Sequence, residues 1–271
     1  MEDFKLNFKN LWKYYLVKVA FLLLGLYLFT LGIAIYTPTS VGASHMDFSI
    51  FAIISTLHGV VGDNSNVDLG YYPNLLTLYF VGILIGALIF GLIFSVKDWK
   101  ENKNKMTWIN LTIIILADLI IVFGLPQMVN MQWLYIPQDA IANINNASAR
   151  NWIFIGAYSI YVFGVAFWVM SGILGGPYNT ICTYLMKATG WKYNVARIVA
   201  DLIITFPGFI FILANGLTWS QKGDFMLTYL NFGSICFVIL TGPIVGLIIP
   251  KINKVWNIED YKTKLQNLNT Q

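Results

Sequence analysis

The sequence contains few charged residues. Of its 271 residues, 17 are Lys or Arg and 13 are Asp or Glu, which makes 11% charged against 57% hydrophobic, and the mean hydropathy is +0.66. Ordinary soluble domains carry about 25% charged residues. This composition excludes that class and predicts an all-α integral membrane protein that crosses the bilayer several times.

Cysteine and histidine are equally scarce, with two residues of each. Cys182 and Cys236 fall inside apolar runs without a CxxC or Cys/His cluster, so we expect no metal, redox site or cofactor. No phosphate-binding loop, zinc-protease motif or nucleophile elbow is present, which argues against an enzyme. The small basic excess has no basic aromatic patch, so no nucleic-acid partner is expected.

Long apolar runs predict six membrane spans of about 20 residues. Four runs are uncharged: 19–36, 75–96, 152–174 and 227–249. Two more carry ionisable groups, Asp118 within 108–125 and both Arg197 and Asp201 within 195–217. Because a charge inside a bilayer is costly, these positions are candidates for functional or paired residues.

Two further apolar segments, 44–61 and 177–186, each follow a glycine-rich break. Short cytoplasmic loops accumulate Lys and Arg. If neither segment crosses, 15 of the 17 basic residues lie on one side, with Arg150 and Lys222 opposite. If both crossed, the lysines of 97–105 would face outward and the loop with Asp63 and Asp68 inward. The pattern predicts six spans, two re-entrant half-helices and both termini in the cytoplasm.

An internal repeat at a spacing of about 132 residues supports the same organisation. "GIAIYTPTSVGAS" from Gly32 aligns with "GVAFWVMSGILGGP" from Gly164. Each half contains a span, a half-helix and two more spans. Three crossings is an odd number, so the second copy is predicted to be inverted, as in many secondary transporters.

The predicted organisation has five parts along the chain. They are a cytoplasmic amphipathic N-terminus (1–18), the first repeat (19–126), an extracytoplasmic linker (127–151), the second repeat (152–250) and a cytoplasmic tail (251–271). The chain is therefore expected to be a multi-pass protein of the cell membrane.

Start signals for helices follow both glycine-rich breaks. Ser44 and Asp47 have the spacing of a capping box, with Asp in place of Glu or Gln. Pro177 suits the first position of a helix. Helix amino-termini present free N–H groups and partial positive charge. Brought in from opposite faces, the two starts are expected to meet near the bilayer midplane.

Three stretches resemble the bacterial YczE/YitT-like membrane proteins over residues 19–252. "LGIAIYTPTSVGASHMD" is similar to the first-repeat signature, in which Gly-x-Ser-Pro-Trp-Asp follows a span. "GILGGPYNTICTYLMKATGWKYNVARIVADLI" is similar to the second signature, with its Gly-x-Gly-Pro-Arg-Asp turn, and "NFGSICFVILTGPIVGLI" to the closing helix. The resemblance implies a transporter-like architecture.

The resemblance carries over residue by residue in part. Asp47, Arg197 and Asp201 match acidic and basic positions of the family pattern. His45 and Met46 stand at the Pro-Trp positions, and Tyr178 and Asn179 at the Arg-Asp positions.

The sequence thus yields a set of candidate site residues. Asp47 and Asp118 are candidates for proton or ion coupling, although Asp47 is equally readable as a helix cap and Asp118 as a hydrogen-bonding group between helices. Arg197 and Asp201, at i and i+4, are predicted to form a structural ion pair, with a substrate clamp as the alternative. The expected substrate-binding residues are Thr39, Ser40, Gly42, Ser44, His45, Asp47, Gly175, Gly176, Tyr178 and Asn179.

The leading functional hypothesis is a transporter of a small molecule that binds between the two half-helix starts. A channel-like pore and a membrane scaffold or accessory subunit without transport activity are the alternatives. The expected partners are membrane lipid and an unidentified small molecule, and a homo-oligomer is left open.

Overall fold

The protein is helical throughout the part that the structure describes. A computed structural model describes residues 2–58, 69–103 and 105–256, and no strand occurs among them. The loop with Asp63 and Asp68 and the tail 257–271 lie outside the described residues. The helices are α1 (Glu2–Tyr36), α2 (His45–His58), α3 (Tyr72–Asn102), α4 (Met106–Gln132), α5 (Gln138–Ala142), α6 (Ala147–Ser171), α7 (Pro177–Thr189), α8 (Tyr193–Ala214), α9 (Trp219–Tyr229), α10 (Phe232–Ile235) and α11 (Thr241–Val255).

Six of the described helical segments are long and apolar enough to cross a membrane. This confirms the predicted all-α, multi-pass class. The segments are Trp12–Thr39, Tyr72–Asn102, Met106–Gln132, Ala147–Ser171, Val195–Ala214 and Phe232–Val255.

Several boundaries differ from the sequence-based ones. The helix α1 begins at Glu2, so no break separates the lysine-containing 1–18 from the first span. The helix α4 continues to Gln132, into the predicted linker. The last span begins at Phe232 and not at residue 227, because the Asn231 side chain caps a new helix by accepting the Gly233 N–H at 2.9 Å. Periodicity alone does not reveal this break inside an apolar run.

The backbones of α1 and α6 come very close together in an antiparallel pair. A Cβ added to Gly25 would lie 2.4 Å from the Trp168 nitrogen, and one added to Gly164 would lie 2.3 Å from the Phe29 nitrogen. Small residues at such crossings let helix backbones touch within a membrane. The remaining helices are arranged around this pair, with α1 also contacting α4 and α6 also contacting α11.

The two shorter helices α2 and α7 each pack on a span. The first, α2, packs on α8, and the second, α7, packs on α3. Ser49 of α2 is hydrogen bonded into α8, where Pro207 interrupts the ladder. Its hydroxyl accepts the Gly208 N–H at 3.1 Å and donates to the Ile204 carbonyl at 3.0 Å. A hydroxyl therefore replaces the backbone bond that these two residues would make in a regular helix.

Candidate functional site

The start of α2 is built around the buried carboxylate of Asp47. The Ser44 hydroxyl accepts the Asp47 N–H at 3.2 Å and donates to Oδ2 at 2.7 Å. The Ser44 N–H also points at Oδ2, at 3.3 Å. The predicted capping box is confirmed, with Asp acting as the third helical residue.

Two tyrosines complete the surroundings of this carboxylate. The Tyr36 hydroxyl donates to Oδ2 of Asp47 at 2.6 Å, and the Tyr72 hydroxyl donates to Oδ1 at 2.5 Å. Asp47 is 2% exposed. A buried carboxylate is tolerated when donors fill its acceptor sites. The structure thus gives Asp47 the architectural role of joining the end of α1 and the start of α3 to the start of α2.

The start of α7 has a glycine turn and a proline where the start of α2 has a capping box. Gly176 has φ +75°, and a Cβ there would lie 2.8 Å from the Trp168 ring, so the turn requires glycine. Pro177 occupies the first turn of the helix, as predicted. The Trp168 indole N–H donates to the Leu174 carbonyl at 2.7 Å, which fixes the chain just before the turn.

Asp118 of α4 lies beside this second start. It is 1% exposed, and the Thr180 side chain and the Gly176 backbone face its carboxyl group. Its Oδ2 has no hydrogen-bond partner among the described residues. Asp118 is therefore buried against α7, and it does not line the cavity described below.

The two helix starts come together at the side chains of His45 and Tyr178. Their ring centroids are 5.3 Å apart. The Tyr178 hydroxyl donates to Oδ1 of Asp201 in α8 at 2.5 Å, and His45 Nε2 lies 3.5 Å from the same oxygen. Three elements thus converge on one carboxylate. The starts of α2 and α7 therefore lie next to each other.

A cavity of about 340 Å³ lies between these starts. Most of its wall is apolar, and much of that is aromatic. Its apolar and aromatic lining includes Phe29, Ile33, Tyr36, Tyr72, Leu76, Phe80, Tyr161, Val165, Trp168, Leu174, Phe237 and Val245. Its polar lining includes Ser44, His45, Asp47, Tyr178, Asn179, Arg197 and Thr241.

Seven of the ten predicted substrate-binding residues line this cavity, and Thr39, Ser40 and Gly42 do not. The Thr39 hydroxyl donates to the Tyr36 carbonyl at 2.6 Å, and Ser40 ends that turn in a left-handed conformation with φ 51°. The Gly42 N–H donates to the Thr228 carbonyl at 3.2 Å. These residues seat the break against the junction of α9 and α10.

Arg197, predicted to form an ion pair with Asp201 or to clamp a substrate, lines the cavity from α8. Its Nη1 lies 3.6 Å from the place where a Cβ on Gly242 would be, so the guanidinium reaches across to α11. The contacts that the geometry establishes for Asp201 are those with His45 and Tyr178. A direct Arg197–Asp201 ion pair stays a prediction.

Sequence reasoning missed the tyrosines and most of the apolar walls. Tyr36 and Tyr72 are 36 residues apart in the chain. The sequence marks both only as aromatic residues at the ends of spans. No local signal links either one to Asp47. Among the described residues, no group of three or more His, Cys, Asp or Glu is placed to hold a metal ion.

Comparisons with known proteins add no relative. The chain matches no protein-family model, and searches of curated proteins and of solved structures return no match. Its resemblance to the YczE/YitT-like proteins therefore stays a prediction.

Proposed function

We propose that the protein is a membrane transporter whose small-molecule substrate binds in the cavity between the starts of α2 and α7. The observation that carries the proposal is this cavity, which two helix starts and several polar side chains border, among them Ser44, His45, Tyr178 and Arg197. Clefts of roughly 300–1,000 Å³ with apolar walls and a few polar groups are typical of ligand sites. Helix starts near the midplane are a recurrent way for transporters to hold polar substrate groups.

The proposal treats α2 and α7 as re-entrant half-helices. With 14 and 13 residues, each is about 20 Å long, well short of the roughly 30 Å core of a bilayer. Non-helical backbone at membrane depth has to be buried or to line a cavity. The breaks before both helices meet this condition, since Gly42 is hydrogen bonded to Thr228 and Gly176 borders the cavity.

The packing pattern supports an inverted repeat as part of the proposal. If α1, α2 and α3 correspond to α6, α7 and α8, the contact of α2 with α8 becomes that of α7 with α3. The contact of α1 with α4 likewise corresponds to the contact of α6 with the segment that ends in α11. The contact between α1 and α6 corresponds to itself, because the two helices exchange places. Matching pairs of contacts of this kind are expected for two halves related by a pseudo-two-fold axis.

The proposal also includes the membrane that holds the protein and the orientation of the chain in it. The lysine distribution favours the bacterial cell membrane with both termini in the cytoplasm. Large apolar side chains on the outer faces of the spans, such as Leu116, Ile120, Phe163 and Leu202, are exposed and suit contact with lipid. The resemblance to the YczE/YitT-like proteins belongs to the same proposal.

The cavity walls also suggest the kind of substrate. Apolar and aromatic residues form most of the surface, and the polar groups cluster where His45, Tyr178 and Arg197 approach each other. We therefore propose an amphipathic small molecule whose polar end lies at this cluster. Its apolar part would pack between α1, α3 and α6.

Binding and flux measurements test the proposal. Purified protein in nanodiscs is screened against amphipathic small molecules, and compounds that bind are tested for saturable flux in proteoliposomes. Val165→Trp places a large side chain in the cavity and is expected to abolish binding and flux. Val238→Trp is the matched control, because Val238 is exposed on the outer surface.

Each outcome separates the alternatives. Thermal unfolding without ligand establishes that both variants are folded. Flux that does not saturate favours a channel-like pore. Absence of binding across the panel, together with a copurifying stoichiometric partner, favours an accessory subunit and contradicts the transporter.

A further inference from the structure

The strongest unassigned feature is the cluster of His45, Tyr178 and Asp201, here called the coupling cluster. His45 belongs to the first turn of α2, Tyr178 to the first turn of α7, and Asp201 to the span α8. Both partners approach the same carboxylate oxygen, at 3.5 Å and 2.5 Å. A single carboxylate thus connects both half-helix starts to a span.

We propose that the coupling cluster is a proton-binding site, with His45 as the group that accepts the proton and Asp201 as its counter-ion. This inference rests on the proposed transport function, for which it names the coupled ion as H⁺. The proton comes from solvent that enters the cavity and binds at Nε2.

The geometry of His45 and Asp201 suits a pair whose contact changes when a proton binds. The His45 and Asp201 side chains are each 20% exposed and His45 lines the cavity, while the Nε2 atom itself is buried against the carboxylate. His45 Nε2 makes no hydrogen bond among the described residues, although the carboxylate is 3.5 Å away. Protonation would add an N–H donor and a positive charge at this atom, which turns a loose contact into an ion pair.

The other buried carboxylates are poorer candidates. Asp47 is 2% exposed, and donors from Ser44, Tyr36 and Tyr72 already occupy its oxygens. Asp118 is 1% exposed and stands outside the cavity. The sequence favoured these two for ion coupling, and the geometry points instead to His45 and Asp201.

Several charged or titratable groups face His45 and influence how readily it binds a proton. Asp201 and Arg197 face it from α8, Asp47 from its own helix and Tyr178 from α7. Burial opposes the protonated imidazole most strongly and Arg197 opposes it as well, whereas the two carboxylates favour it. Because Asp201 is the nearest of these charges to Nε2, we expect its removal to have the largest effect.

Proton binding and ligand binding are linked through the position of α2. A charged pair holds the start of α2 against α8, and loss of the proton leaves Asp201 with Tyr178 as its established donor. The same two helix starts border the cavity. A ligand that prefers one arrangement therefore changes the proton affinity, and protonation changes ligand affinity by the same factor.

Histidine NMR tests the inference directly, because the chain contains two histidines. In a His58→Gln background, His45 is the single histidine. The protein is labelled with ¹⁵N-histidine in nanodiscs and titrated from pH 4.5 to 8.5 without added ligand. Asp201→Asn is expected to lower the His45 titration midpoint by about one pH unit, because it removes the nearby negative charge.

Controls keep the result interpretable. Asp201→Glu retains the charge and is expected to restore the midpoint to within a few tenths of a pH unit. Asp224→Asn removes an exposed carboxylate of α9 and is expected to leave the midpoint unchanged. Thermal unfolding identifies any variant that is not folded.

The outcomes separate this inference from the proposed function. A His45 that does not titrate, or a midpoint unaffected by Asp201→Asn in folded protein, overturns the proton site even if transport is observed. The expected shift without any flux across the compound panel supports the site and contradicts transport. With a transported compound, flux that is insensitive to pH overturns the coupling.

Discussion

At the scale of single residues, several buried polar side chains fix one helix to another. Burying the polar Asp47 carboxyl group has a cost that is offset by hydroxyl and amide donors from Ser44, Tyr36 and Tyr72. Removing one partner would leave the other buried and unsatisfied, which costs more than the bond contributes. These contacts therefore specify where α2 begins relative to α1 and α3.

The hydrogen bonds of Ser49 provide a direct test of how much such a buried contact contributes to stability. Its side chain is fully buried and serves both the Gly208 N–H and the Ile204 carbonyl next to Pro207. Ser49→Ala leaves both groups without this partner, so we expect the free energy of unfolding to fall by about 1–3 kcal/mol. Denaturant or thermal unfolding in a defined detergent measures the change.

Ser159→Ala is the matched control for that substitution. The Ser159 hydroxyl bonds to the Ile155 carbonyl of its own helix and is exposed. Its loss is expected to change the stability by less than about 0.5 kcal/mol. Equal effects of the two substitutions would show that Ser49 does not replace the broken ladder bond.

At the scale of helices, sequence signals located the starts of α2 and α7 better than they located the bounds of the spans. Ser44, Asp47 and Pro177 are local signals, and the structure confirms their roles. The start of the last span was misplaced because residues 227–231 are mostly apolar while Asn231 begins a new helix.

The sequence pattern does not predict contacts between segments that are distant in the chain. His45 and Asp201 are 156 residues apart in the chain and come within 3.5 Å only after α2 packs on α8. The predicted repeat placed the two breaks opposite each other, but it carried no information about which side chain reaches which. Helix packing decides this, and packing depends on shape around the whole contact.

The α1–α6 crossing supplies a prediction about helices. Gly164→Ala would place a Cβ 2.3 Å from the Phe29 backbone nitrogen, so the two helices have to separate. We expect a loss of about 1–3 kcal/mol of stability, as for other overpacked sites. Gly156 lies in the same helix with no atom within 4 Å of its Cβ position.

Gly156→Ala is consequently the control, and it is expected to be neutral or to stabilise by up to about 1 kcal/mol through helix propensity. Unfolding of both variants under identical conditions gives the comparison. If Gly164→Ala were as stable as Gly156→Ala, the close approach of α1 and α6 would be incorrect.

At the scale of the whole molecule, the number of crossings determines which loops face the cytoplasm. With the N-terminus in the cytoplasm, six crossings with two re-entrant helices would put the loop between α3 and α4 inside and the loop between α5 and α6 outside. Crossing by α2 and α7 as well would reverse both positions. The lysines of the first loop make the six-crossing arrangement the favoured one.

Cysteine labelling in intact cells distinguishes these arrangements. The native Cys182 and Cys236 are buried, so unmodified protein is expected to give little reaction with a membrane-impermeant maleimide. Asn145→Cys introduces a thiol at an exposed position before α6, and Lys103→Cys introduces one between α3 and α4. We expect the Asn145→Cys protein to be labelled in intact cells and the Lys103→Cys protein only after the membrane is permeabilised. The opposite pattern would mean that the chain lies in the membrane the other way round or crosses it eight times, and in either case the proposed cytoplasmic side would be wrong.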